Sequence, residues 1–159
     1  MPNDEYVPVY PLQTKKKVDH DAANVESLTK VWNGYFHDVE EYVRNLNKQL
    51  GKDAVLIVPV GQATLALRAK IIAGQAPGLK KQSELYRDNW GHPTTPLQVL
   101  SGYCHFAVIY RRSPVGLPFS PTLAKGKEKN PGWDEKLDHL LQELAWDAVI
   151  HHPMSGVTP

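Results

Sequence analysis

The segment that most constrains the fold is the continuous apolar run Ala54–Val60 (AVLIVPV), which lies between two helical patterns. A run without alternation is typical of a strand buried on both faces, as in a parallel sheet covered by helices. Pro59 and Gly61 would end such a strand. Helix, buried strand, helix is the order of an α/β protein, and it predicts that fold class.

Four segments show the hydrophobic period of helices. The longest runs from Asn24 to Leu50, and Gly51 stops it, because glycine enters the left-handed cap without strain. The others are predicted over about Ala63–Ala73, from Thr94 or Thr95 to about Tyr110, and over Trp133–Val149. A parallel sheet needs several strands, and only one is secure here. Either the domain is therefore mainly helical, or further strands of its sheet are missing from this sequence.

The 159 residues are the size of one domain, with an extended lead-in over 1–23, the domain over 24–150 and a tail over 151–159. A net charge of +1 gives no electrostatic case for binding nucleic acid or an anionic membrane. The apolar runs are too short to span a membrane and the acidic, polar start does not resemble a signal peptide, so the chain is expected to be soluble. No pattern predicts a cofactor or a metal site. The single cysteine, Cys104, excludes an intrachain disulfide and is expected to be buried.

Asp88 and His92 are the candidate catalytic pair. A carboxylate that faces one ring nitrogen of a histidine fixes its tautomer and leaves the other nitrogen to accept a proton. Gly91 would let the chain turn sharply beside His92, and Trp90 could line a substrate cleft. Asn89, which has the three-residue offset from His92 that Asp88 lacks, is an alternative to Asp88. The competing interpretation is an Asx-type turn with a structural histidine.

Two stretches carry a resemblance to a known family. LYRDNWGHP, residues 85–93, followed by a helix and then YRRSPVGL, residues 110–117, resembles the C-terminal part of SGNH (GDSL-like) hydrolases. The resemblance implies an incomplete flavodoxin-like, three-layer α/β/α fold that is helix-rich with few strands. It also implies an ester hydrolase acting on carbohydrate or lipid esters, in which Asp88 and His92 are the acid and base of a Ser-His-Asp triad. The family's motif is Asp-x-x-His, and this chain has one more residue between the two.

The resemblance also shows what this chain lacks. The family's nucleophile lies in a Gly-Asp-Ser block near the N-terminus, and no such block occurs here. Asn3, in Pro2-Asn3-Asp4, is the candidate for a remnant oxyanion residue, although Met1 stands where glycine is expected. The chain is then expected to be the acid/base half of a hydrolase, inactive without a serine block encoded upstream of Met1. Its substrate would be an ester-bearing small molecule or carbohydrate, and intact family members are often exported.

The alternative function is a non-enzymatic α/β module for binding or assembly. The strand predicted at Ala54–Val60 would have an unpaired edge, and exposed apolar edges promote association. Self-association through that edge is therefore expected for the chain by itself.

Overall fold

Apolar side chains at helical spacing build a bundle around one main core. The structure is a computed structural model that describes residues 19–88, 91–127 and 129–158. α3 packs along α5, α2 packs against both, and α1 lies on α2. The helices in the described residues are α1 (Val25–Leu50), α2 (Val60–Ile72), α3 (Thr95–Tyr110), α4 (Pro121–Gly126) and α5 (Glu135–His151), with a short 3-10 helix, Gln82–Leu85, before α3.

The four helices that the hydrophobic period predicts are confirmed, with small shifts at their ends. The side chain of Asn24 caps α1 by accepting a hydrogen bond from the Ser27 amide, and Gly51 ends the helix with φ 66°. α5 begins at Glu135, later than predicted, because Asp134 caps its first turn. α4 was not predicted, since the prolines around it indicated an irregular crossing. Pro121 at its first turn is instead a favoured helix start.

The predicted α/β/α fold is wrong. In the described part of the chain there is no strand, and residues 53–59 have no regular secondary structure. The backbone of this segment forms hydrogen bonds with a side chain and with the C-terminal segment instead of with a neighbouring strand. The Asn47 amide group both donates to the Val55 carbonyl, at 2.9 Å, and accepts from the Val55 amide, at 2.8 Å. The Ile57 amide donates to the Met154 carbonyl at 2.9 Å.

The hydrophobic period predicts a buried stripe on α1 that includes Trp32, Tyr42 and Leu50, and the buried face differs from it in the second half of the helix. Trp32 is buried, but Tyr42 and Leu50 are 66% and 54% exposed. Val43 and Asn47 are buried in their place. α1 therefore contacts the rest of the protein along a narrow line, and part of its apolar surface faces outward.

The C-terminal segment is packed against the protein, although a surface tail was expected there. His152 and Ser155 are buried, and Val157 belongs to the main core. The Met154 carbonyl holds Ile57, as described above. This segment thus lies beside residues 53–59 and closes one side of the bundle.

Candidate functional site: two histidine–carboxylate pairs

The predicted pair, Asp88 and His92, lies on a turn that is closed by backbone hydrogen bonds. Residues Tyr86 and Pro93 form an antiparallel bridge, and the Arg87 amide donates to the His92 carbonyl at 3.0 Å. Inside this bridge the Gly91 amide donates to the Asp88 carbonyl at 3.3 Å. Gly91 has φ 78°, which a glycine adopts without strain. The sharp turn predicted at Gly91 is therefore present.

The two side chains of the predicted pair are in direct contact. His92 Nδ1 lies 2.6 Å from Asp88 Oδ2, and the backbone amide of His92 donates to Asp88 Oδ1 at 3.2 Å. The carboxylate thus holds both the ring and the backbone of the histidine. The side chain of His92 is 54% exposed and that of Asp88 is 34% exposed. In the described residues, His92 Nε2 has no hydrogen-bond partner.

A buried arginine contacts the residue at which the turn begins. Arg68 of α2 is fully buried, and its Nε donates to Gln82 Oε1 at 2.6 Å. Its guanidinium lies 5.8 Å from the ring centre of Tyr86, the residue at which the bridge begins. His20 stacks on the same ring with centroids 4.4 Å apart. The start of the turn is therefore fixed by side chains from α2 and from the segment before α1.

Asp21 fixes the 3-10 helix that leads into the turn. Its carboxylate accepts hydrogen bonds from the Ser83 amide, at 2.8 Å, and from the Ser83 hydroxyl, at 2.7 Å. Desolvation opposes ionisation of this carboxyl, but the hydrogen bonds from Ser83, together with the charge of Lys81 and the Gln82 amide, outweigh that effect and lower the pKa of Asp21. Thr94, on the other side of the turn, donates from its hydroxyl to the Glu84 carbonyl at 2.6 Å.

Two other exposed histidines have a carboxylate at the same sequence spacing. His139 lies 3.3 Å from Glu143, and His151 lies 3.1 Å from Asp147. Both pairs sit on the surface of α5, where side chains four residues apart are neighbours in any helix. The Asp88–His92 pair is closer, lies on a turn, and has the second contact from the backbone amide of His92.

A further histidine–carboxylate pair was not predicted. His152 Nε2 lies 3.4 Å from Glu40 Oε1, and their side chains are only 4% and 24% exposed. The backbone amide of Met154 donates to His152 Nδ1 at 3.1 Å, so both ring nitrogens have partners. Burial lowers the pKa of His152, although the Glu40 carboxylate acts in the opposite direction. Glu40 and His152 are far apart in sequence, and no local motif signals them.

Two cavities of the described residues lie at this buried pair, and a larger one, of about 620 Å³, lies beside Asn47 and Met154. A cavity of about 180 Å³ is lined by Phe36 and Glu40 of α1, Val58, Gln62 and His152, among others. A neighbouring cavity of about 320 Å³ shares Glu40, Gln62 and His152.

The remaining predicted site residues divide into two groups. Asn3 and Trp90 lie outside the described residues. Cys104 is buried as predicted, and burial raises the pKa of its thiol to about 12, so it is no nucleophile at neutral pH. Where the chain is described, no serine hydroxyl is hydrogen-bonded to His92, and the Ser83 hydroxyl is engaged by Asp21.

Comparison with known proteins gives no relative. No protein-family model, no curated protein and no solved structure matches the chain. Among the described helices, none is both long and apolar enough to cross a bilayer. The described residues also contain no cluster of three or more histidine, cysteine or acidic side chains arranged to hold a metal ion.

Proposed function

We propose that this chain supplies the acid/base half of a serine ester hydrolase, with His92 as the base and Asp88 as the residue that orients it. The observation that carries the proposal is the contact of 2.6 Å between His92 Nδ1 and Asp88 Oδ2 on a half-exposed side chain, whose Nε2 has no hydrogen-bond partner among the described residues. The resemblance of residues 85–93 and 110–117 to the C-terminal part of SGNH hydrolases supports the same role. That resemblance concerns the motif and not the fold, which is helical.

The pair fits the chemistry of proton transfer. With Nδ1 donating a hydrogen bond to Asp88, Nε2 carries the lone pair and can accept the proton of an attacking serine. The Asp88 carboxylate then stabilises the imidazolium, and His92 returns the proton to the leaving alcohol. The serine would come from polypeptide that this sequence lacks, and the substrate would be an ester-bearing small molecule or carbohydrate. The chain by itself is expected to be inactive.

A binding or assembly module is the second candidate. The observation in its favour is that, in the described part of the chain, several backbone groups of Ala54–Val58 form no hydrogen bond. This segment lies within Ala54–Val60, whose edge the sequence predicts as a surface for self-association. This function requires neither Asp88 nor His92. It predicts no ester hydrolysis even by a longer polypeptide.

The two candidates are separated by an assay on the polypeptide extended by the sequence encoded upstream of Met1. With p-nitrophenyl acetate as the substrate, we expect hydrolysis that His92→Ala or Asp88→Ala reduces by about a thousandfold or more. The matched control is His139→Ala, which removes another exposed histidine that has a carboxylate partner. It should leave the rate unchanged. Absence of hydrolysis by the extended protein, or equal effects of the His92 and His139 variants, would contradict the proposal.

A further inference from the structure

The segment Ala54–Val58 has one edge that is paired and one that is open. The amide and carbonyl of Val55 are held by Asn47, and the Ile57 amide is held by Met154. The alternate residues, Ala54, Leu56 and Val58, differ in their backbone hydrogen bonds. In the described part of the chain, the Leu56 amide, the Leu56 carbonyl, the Val58 amide and the Ala54 carbonyl form no hydrogen bond. In an extended segment the N–H and C=O of one residue point to the same edge and those of the next residue to the opposite edge, so the four groups of Ala54, Leu56 and Val58 share one edge.

The backbone groups at the two ends of this segment already form hydrogen bonds within the chain. The Val58 carbonyl accepts the Val60 amide at 2.8 Å, in a turn centred on Pro59 with φ −81° and ψ 53°. These angles are those of an inverse γ-turn, which is common where an extended segment ends. At the other end, the Ala54 amide donates to Asn47 Oδ1 at 3.1 Å. The open edge is therefore limited to the four groups named above.

We propose that this edge pairs with the same edge of a second copy of the chain, in an antiparallel arrangement centred on Leu56. In such a pair a two-fold axis places Leu56 opposite its own copy, and the two residues exchange both hydrogen bonds. Val58 then faces Ala54 of the other copy, so that each Val58 amide donates to an Ala54 carbonyl. This register uses all four open groups and needs neither the Ala54 amide nor the Val58 carbonyl, the two groups already bonded within the chain.

The charge of this segment is compatible with a second copy as the occupant, and its small area limits the strength of the dimer. Ala54–Val58 carries no charged side chain, so two copies meet there without like charges opposite each other. A pairing this short buries less than the roughly 1,200 Å² of a stable interface. The dimer is consequently weak, and its population rises with protein concentration. The inference does not depend on the acid/base role of His92.

Amide hydrogen exchange of the full chain, followed by NMR at low and at high protein concentration, tests the pairing. The Val55 and Ile57 amides, which are bonded within the chain, should exchange slowly at both concentrations. The Leu56 and Val58 amides should exchange rapidly in dilute solution and become protected as the concentration rises. Lack of protection of Leu56 and Val58 at the highest concentration would overturn the proposal. Protection that does not change with concentration would also overturn it, because it would place the partner within the same chain.

A proline variant tests the register. Val58→Pro removes an amide that has no partner in the monomer, so the fold should be kept while two hydrogen bonds of the dimer are lost. Sedimentation should show a dissociation constant that rises by about tenfold or more. The control is Val58→Ala, which keeps the amide and should dimerise more strongly than the proline variant. A Val58→Pro protein that dimerises like the wild type would show that the interface lies elsewhere. Should that variant fail to fold, the exchange of the wild-type Leu56 amide decides the question.

Discussion

Asp88–His92 and Glu40–His152 are the same chemical pair in two different settings. The first lies on an exposed turn, and one ring nitrogen of its histidine has no partner among the described residues. The second is buried between α1 and the C-terminal segment, and both ring nitrogens of its histidine are engaged. The comparison teaches that a carboxylate beside a histidine does not define a catalytic base. The second nitrogen must also be available to a substrate.

The comparison predicts that the two histidines differ in how much they contribute to stability. His152→Ala removes a buried ring and leaves Glu40 and the Met154 amide without their partner, so the free energy of unfolding should fall by about 2–4 kcal/mol. His92→Ala acts on an exposed pair and should change it by no more than about 1 kcal/mol. Urea denaturation of both variants measures the difference. Equal losses would show that the two pairs do not differ in the way their burial indicates.

Asn47 provides a second measure of how far the buried region depends on polar contacts. Asn47→Leu removes the side-chain amide that holds Val55 and leaves the Val55 amide and carbonyl unpaired, whereas the Ala54 amide keeps its hydrogen bond to the Lys52 carbonyl. We expect a loss of about 2 kcal/mol in the free energy of unfolding, together with faster exchange of the Val55 amide. The control is Asn45→Leu, a change of the same kind at an exposed position of α1. A stable Asn47→Leu protein with a protected Val55 amide would show that other contacts hold the segment.

The buried pair also predicts a dependence of stability on pH. Burial lowers the pKa of His152 below the ordinary value of 6.5 in the folded state, so the unfolded chain binds this proton at higher pH. The corresponding stability is fully present above about pH 6.5 and is lost as the pH falls through the folded-state pKa. The unfolding free energy of His152→Gln should therefore fall less over this range than that of the wild type. Identical slopes for the two proteins would remove His152 as the cause.

The smallest effect is expected at the exposed carboxylate. Asp88→Ala should lower the free energy of unfolding by about 1 kcal/mol or less, because the pair is largely in water. Its consequence should instead be chemical. Without Asp88, Nδ1 of His92 loses the acceptor that keeps the proton there, and the proton is no longer confined to Nδ1. A large loss of stability in Asp88→Ala, measured in the same urea titration, would make this carboxylate structural.

Local features of the sequence predicted much of this molecule. The hydrophobic period predicts the long helix and its stop at Gly51, and Asp88 and His92 were found because a turn brings residues four apart together. The α/β fold class was wrong, since a continuous apolar run fits both a buried strand and a segment held by a side chain. Nothing in the sequence indicates that Asn47 takes the place of a neighbouring strand.

The buried pair could not be predicted for a related reason. Glu40 is one of several acidic residues on α1, and His152 follows the end of α5. Their contact depends on how the C-terminal segment folds back along α1, which is a tertiary feature without a local signal. The same folding back buries Ser155 and Val157, where a surface tail was expected.

The central claim is that Nε2 of His92 has no partner among the described residues, whereas both ring nitrogens of His152 are in contact with a partner. The tautomers of the two rings test this claim directly. Long-range proton–nitrogen NMR of the full chain, at a pH where both rings are neutral, distinguishes the two nitrogens of each ring. We predict opposite tautomers, with the proton on Nδ1 in His92, where Asp88 accepts it, and on Nε2 in His152, where Nδ1 accepts the Met154 amide. A His92 ring protonated on Nε2, or one tautomer shared by both histidines, would contradict the account.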